Sequence, residues 1–284
     1  MQEVKKAVVA VAGMGTRFFP ITKSFPKEML PIVDKPILSY ILDEAINSGI
    51  EEIILIISDE KELIRNYYDR NEKLEKLLEE RNKLNELEII RSIVPSNIKI
   101  SYVVQDKPLG TAYAINLAKD FINNEPFAII FGDDIVDSEV PVLKQMLEYY
   151  KKYDCNVFAA KEVDRSIVNK YGILKYKDFN TKEVECIVEK PSIEEAPSNF
   201  ATIGRYIVKP EVFEEIKNIE PIKGEYVLTS AFERMMAYQK FYACEFEGKP
   251  FDTGNKLEYI EATINYALKS EYGDKVKEFI KKNI

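Results

Sequence analysis

Residues 7–12, Ala-Val-Val-Ala-Val-Ala, form an apolar run with no polar alternation, and it breaks directly into Gly13-Met14-Gly15-Thr16-Arg17. Such a run reads as a buried strand, one without a polar face that must be covered on both sides. Where such a strand ends, glycines let backbone N–H groups approach an anion without a Cβ in the way, and nearby cations add charge. Taken alone, a Gly-x-Gly is more often an ordinary tight turn. Arg17 and Lys27, in a loop pinned by Pro20, Pro26 and Pro31, turn the reading toward a phosphate site.

Composition narrows the chemistry. The 284 residues, 46% of them hydrophobic, suffice for a full core. A formal net charge of −8 argues against a nucleic-acid-binding surface, so a phosphate must meet a local basic cluster. No apolar run reaches the roughly 20 residues of a membrane helix, and no charged-then-apolar leader opens the chain. No membrane contact and a cytoplasmic location are expected. Histidine is absent, which excludes Ser-His-Asp and Cys-His nucleophiles and histidine-ligated zinc together. Cys155, Cys186 and Cys244 are odd in number and far apart in apolar surroundings, and read as reduced core thiols.

Strand-like and helix-like segments alternate through the first half. Residues 37–48 place Leu38, Ile41, Leu42, Ala45 and Ile46 on one helical face, with Gly49 just past the end. Residues 53–57, 100–104 and 127–131 read as buried strands, and a helix is expected to open near Gly110, an alternation that implies a layered α/β fold with helices on both faces of a parallel sheet. In such sheets ligands sit at the carboxyl ends of strands, where the glycine loop, Gln105 and Asp133 all fall. Residues 59–90 read as a solvated pair of amphipathic helices. Beyond Lys151, strands are expected at 157–160, 172–176, 184–188 and 201–208, and helices near 225–239, 256–269 and 275–281. No linker composition marks a domain boundary.

The wording Pro26-Lys27-Glu28-Met29-Leu30-Pro31-Ile32-Val33-Asp34-Lys35-Pro36, preceded by Thr16-Arg17-Phe18 and Thr22-Lys23, resembles the amino-terminal signature of the sugar-phosphate nucleotidyltransferases. It is most similar to the bacterial UTP:glucose-1-phosphate uridylyltransferases. Later motifs recur in the family's order: Gln105 with Pro108-Leu109-Gly110, Gly132-Asp133-Asp134, Tyr171-Gly172, Val188-Glu189-Lys190-Pro191, Ile203-Gly204-Arg205-Tyr206, and Asp252 with Gly254. The helical insertion at 59–90 also resembles one that the shorter thymidylyltransferases lack.

The resemblance implies a Rossmann-like, mostly parallel mixed sheet flanked by helices, forming a single domain over 1–284. Its nucleotide-binding half spans about 1–150 and its sugar-binding half about 151–284. It implies transfer of the uridylyl group of UTP to glucose-1-phosphate, giving UDP-glucose and pyrophosphate. That nucleophile is already ionised at neutral pH, so a chain without histidine suits the reaction. Catalysis would then be positioning and charge neutralisation.

The residue roles follow from the same likeness. Arg17 would hold the β and γ phosphates, and Lys27 would neutralise charge near the α and β phosphates. Asp133 and Asp252 would hold Mg2+, which favours oxygen ligands that leave room for water and phosphate. By themselves these aspartates read as turn residues. Asp134 would orient groups or contact the sugar, Lys190 would meet the sugar phosphate, and Glu189, Gly172 and Gly204 would line the sugar. Gln105 would read uracil, with Ala12, Gly13, Gly15, Thr16 and Gly110 completing the nucleotide site. A homodimer or homotetramer is expected.

Two departures sit near the base pocket. Thr111-Ala112-Tyr113 follows Gly110 where the family's uridylyl enzymes commonly have Leu-Gly-His, and Val11 replaces a small alanine. Rival readings are a related transferase using dTTP, GTP or another sugar phosphate, and a non-catalytic nucleotide-sugar-binding subunit. The latter should have lost Arg17, Lys27, Asp133 or Lys190, and all are present.

Overall fold

A computed structural model describes residues 1–283; Ile284, where the expected domain ends, lies outside the described residues. Lys6–Ala10 pairs in parallel with Glu52–Ile57 on one side and Phe127–Phe131 on the other, and Lys99–Val104 extends the first side. The nine-stranded sheet continues through Phe200–Val208, Asn156–Glu162, Phe241–Glu245, Glu183–Glu189 and Gly172–Asp178. Only Phe200–Val208 and Glu183–Glu189 run against the rest, so the sheet is mixed but mostly parallel in direction.

The central strands are apolar throughout because both faces are covered. Ala7, Val9, Ile53, Leu55, Ala128 and Ile130 pack on the helices Ile37–Asn47 and Val142–Tyr153. Val8, Ile54, Ile56, Phe127 and Ile129 face the opposite way, onto Thr111–Asn116 and Leu228–Met236. Each such Ile or Phe contributes about 1.5–3 kcal/mol by leaving water. The helix predicted over 37–48 forms as Ile37–Asn47 and ends at Gly49, whose φ of 95° is the left-handed conformation that closes a helix.

Two expectations need correcting. The charge-rich insertion is three helices, not a pair: Glu62–Tyr68 packs Ile64 and Tyr68 against the core, while Glu72–Glu80 and Leu84–Arg91 lie outside it. Glu75 joins the latter two by accepting from both Arg70 and Arg91. Second, Phe241–Glu245 is an interior strand, parallel to Asn156–Glu162, that the sequence reading passed over. Five residues carry too little periodicity to separate a buried strand from a helix end.

The order of strands places the site. From Lys6–Ala10 the chain builds outward on one side to Lys99–Val104, then returns to the other side at Phe127–Phe131. The crevice at such a reversal is open at the carboxyl ends of the two central strands. The glycine loop leaves one of those ends and Gly132-Asp133-Asp134 leaves the other.

Candidate active site

Residues 12–17 cross over the Lys27 side chain. A Cβ at Gly15 would lie 3.3 Å from Lys27 Cβ, and one at Gly13 would lie 3.9 Å from Lys27 Cε. Thr22 Oγ1 donates to the Gly15 carbonyl at 2.7 Å, fixing the loop from its far side. Ala12 is half-buried, whereas Gly13 and Thr16 are exposed, and the Arg17 side chain is 73% exposed. Lys27 is largely enclosed, and its ammonium pairs with Asp133 Oδ2. Burial pulls the Lys27 pKa down, but Asp133, then Glu28 and Asp134, more than offset it and hold it above the ordinary value.

The acidic residues meet through a short ladder. Asp134–Asp137 pairs antiparallel with Lys249–Asp252, setting Asp134 opposite Asp252. Thr253 clamps the turn by donating its N–H (2.8 Å) and its hydroxyl (2.6 Å) to the Asp133 carbonyl. Asp252 Oδ1 accepts from Gly254 N–H at 2.9 Å, and Arg17 Nη1 stands 3.8 Å from Asp252 Oδ2. A Cβ at Gly254 would meet Asp252 Oδ1 at 2.9 Å, Asp133 Oδ2 at 3.1 Å and Lys27 Nζ at 3.7 Å, so these three groups border one space. Burial and the neighbouring Asp133 push the Asp134 and Asp252 carboxyls above the usual range. Among the described residues no group of three or more Cys, Asp or Glu side chains is disposed to hold a metal by itself. Two carboxylates facing one space suit a cation that draws its remaining ligands from water and phosphate.

The residues expected on the sugar side come together at the end of a β-hairpin. Glu189 lies opposite Gly172, and a Cβ at Gly172 would sit 3.4 Å from Glu189 Oε2. Lys190 turns out of the strand with φ 44°, donating its N–H to the Tyr171 carbonyl at 3.0 Å. Its side chain is 63% exposed, with Nζ 3.6 Å from Glu189 Oε1. Gly204, with φ 39°, has no room for a side chain, since a Cβ would lie 2.3 Å from Asp134 Oδ2. Gly204 belongs to Phe200–Val208, which pairs with the hairpin at Ala201 and Ile173, so this strand links the hairpin to the acidic ladder.

Gln105 follows Lys99–Val104 as expected, its N–H donating to the Ile57 carbonyl and its Nε2 to the Lys107 carbonyl. Gly110 opens the helix Thr111–Asn116 with φ 99°, and the Tyr226 backbone fills the place of its Cβ at 2.6 Å. The glycine there is thus required by a close approach of two chain segments.

Several supporting residues escaped the sequence reading. Thr229 donates to Glu189 Oε2 at 3.2 Å. Glu28, inside the signature wording, is buried and pairs at 2.7 Å with buried Lys61, whose Nζ also donates to the Val11 carbonyl. Burial pushes Glu28 up and Lys61 down from their ordinary pKa values. Arg205 is fully buried, binds Glu44 through Nε and Nη2, and keeps Nη1 without a partner among the described residues. Glu28 and Arg205 both lie within quoted motifs, which was the available signal. Lys61 had none, being one lysine in a charged stretch.

Cations and carboxylates facing each other across a crevice, with no imidazole in the chain, suit the handling of phosphate esters. Residues 6–269 match the family described as Nucleotidyl transferase. The UTP–glucose-1-phosphate uridylyltransferase of Staphylococcus epidermidis is 42% identical over 285 residues, covering 99% of each chain. The solved structure of a UTP-bound UGPase from Acinetobacter baumannii is 34% identical, with a TM-score of 0.89, over 98% of this chain and 99% of that one. A UDP-glucose pyrophosphorylase complexed with UDP-glucose is 39% identical, with a TM-score of 0.85, over 94% and 100%. The chain belongs to the nucleotidyl transferase family, in the group of the UTP–glucose-1-phosphate uridylyltransferases.

Proposed function

We propose that the chain transfers the uridylyl group of UTP to glucose-1-phosphate, releasing pyrophosphate and UDP-glucose. The observation that carries this reading is the placement of Lys27, which underlies the glycine loop, pairs with Asp133 and borders the space shared with Asp252. A phosphate oxygen of the sugar attacks the α-phosphorus in line, and the bond from that phosphorus to the bridging oxygen of pyrophosphate breaks. No proton need move. The glycine loop and Arg17 hold the β and γ phosphates, Lys27 neutralises charge near the α and β phosphates, and Lys190 holds the attacking phosphate from the hairpin side. Asp134, Glu189, Gly172 and Gly204 line the sugar, and Gln105 faces the base. Asp133 and Asp252 would hold Mg2+, which when bound stabilises the charge that collects on the departing pyrophosphate. Residues 1–284 act as one domain, divided near residue 150 into nucleotide and sugar halves. A homodimer or homotetramer in the cytoplasm fits this reading; among the described residues no helix is long and apolar enough to cross a membrane.

Pyrophosphate release measured with UTP, dTTP and GTP against a set of sugar-1-phosphates tests the assignment. UTP should exceed dTTP by at least roughly tenfold in kcat/KM, because a site that binds the ribose 2′-hydroxyl penalises its loss, whereas refusing a methyl is worth only about 1–3 kcal/mol. Equal use of dTTP or GTP overturns the uridylyl assignment.

A further inference from the structure

Lys61 stands at the start of the helix Glu62–Tyr68, just past the carboxyl end of Glu52–Ile57. Its side chain is 8% exposed, and its ammonium donates to the Val11 carbonyl and to Glu28 Oε2. Val11 is the last residue before Ala12 and Gly13, and its own N–H is held by Ile56 of the neighbouring strand. Glu28 is adjacent in sequence to Lys27. One buried ammonium therefore joins three segments: the helix start that carries it, the root of the glycine loop, and the 3-10 turn Lys27–Met29.

We infer that Lys61 is a positioning residue for the nucleotide phosphates, holding the glycine loop and Lys27 in register through Val11 and Glu28. Stability alone does not explain such a pair, since apolar side chains of similar volume fill a core as well or better than a buried ion pair. What apolar packing cannot supply is direction. Two hydrogen bonds from one nitrogen fix the distance between the loop root and the turn that carries Lys27. The loop N–H groups and the Lys27 ammonium must meet the same triphosphate, and a misplacement of about 1 Å can cost on the order of 100-fold in rate. The sugar side hangs on the hairpin of Gly172 and Glu189 and on Gly204, none of which Lys61 touches. Its loss should therefore be felt by one substrate.

This inference rests on the nucleotidyl-transfer reading, so its test is scored on the ratio between substrates and uses whichever nucleotide the wild-type chain accepts. The double variant Glu28→Gln/Lys61→Met removes both charges at nearly constant volume and leaves no buried charge unpaired, while the Val11 carbonyl and the introduced amide lose the lysine donor. It should still fold with a cooperative thermal transition, while KM for the nucleotide rises at least roughly tenfold and KM for the sugar phosphate stays within about twofold. Lys61→Arg, which keeps the charge but shifts its donors, should fold and show the same one-sided loss to a smaller degree. An unchanged KM for the nucleotide in the double variant, or an equal rise in both KM values, overturns the inference. Failure of the double variant to fold would assign the pair to the core and overturn it too.

Discussion

Asp134 and Asp252 stand directly opposite each other in the antiparallel ladder of Asp134–Asp137 with Lys249–Asp252. This pairing brings a loop from the middle of the chain against one near its end, and Thr253 locks them by two hydrogen bonds to the Asp133 carbonyl. Asp133, Asp252 and the Lys27 ammonium thus border one space, with Asp134 and Arg17 beside it, and the two carboxylates suit an added cation.

Asp133→Asn and Asp252→Asn should each lower kcat by about 100- to 1,000-fold or more, the scale seen when one preorganised electrostatic element is lost. The thermal transition of Asp252→Asn should change little, because removing one of several crowded like charges relieves repulsion, whereas Asp133→Asn also takes the charge partner from the enclosed Lys27 ammonium and should lower it. Pyrophosphate release checks the rate, and excess EDTA should silence the wild type. Activity of both variants within threefold of wild type would reject the two-aspartate site.

Gly204→Ala puts a Cβ 2.3 Å from Asp134 Oδ2 at a residue with φ 39°. Backbone strain costs about 1–3 kcal/mol, and Asp134 must also move. The thermal transition should fall and KM for glucose-1-phosphate should rise. Gly49→Ala is the control, with φ 95° but nothing within 4 Å of the new Cβ. It should lower stability and leave both KM values unchanged. A Gly204→Ala enzyme with normal KM for the sugar phosphate would detach Asp134 from the sugar.

The Lys190 side chain is exposed at a strand end, and among the described residues its one charge contact is with Glu189, at 3.6 Å. Lys190→Ala should therefore fold normally. KM for glucose-1-phosphate should rise roughly tenfold or more, in line with loss of a charge-assisted contact, while KM for UTP changes little. Unchanged KM for the sugar phosphate together with normal kcat removes Lys190 from the site.

Cys155 and Cys244 are buried free thiols, each pushed up to about 12 by burial from an ordinary value of 9.0. A raised folded-state pKa means that the folded chain keeps these protons after the unfolded chain has lost them. Their contribution to stability is complete below pH 9 and is lost as pH rises through 12, by roughly 1 kcal/mol per pH unit for each thiol. Urea midpoints at pH 8 and pH 10 should fall more steeply in wild type than in Cys155→Ala/Cys244→Ala. Parallel pH dependence in the two proteins would contradict it.

Much of this was readable along the chain. The strand Lys6–Ala10 and the helix Ile37–Asn47 follow from local patterning, since a run of apolar residues or a one-sided helical face has few ways to leave water. The glycine loop with Arg17 and Lys27 was legible because its chemistry is contiguous. Phe241–Glu245 and the three-helix insertion were not, because short segments take their conformation from what they pack against.

The sequence by itself determined the sheet's central strands, the absence of imidazole chemistry, and the residues able to meet phosphate, since each depends on residue type and near neighbours. Only the tertiary structure decided that Asp133 and Asp252 border one space, that Gly110 yields to the Tyr226 backbone, and that Lys61 reaches both Val11 and Glu28. Those relationships join segments far apart in the chain. The strands of the main sheet end side by side, and a separate antiparallel ladder carries residues 249–252 to residues 134–137, arrangements set by long-range packing that local residue patterns do not encode.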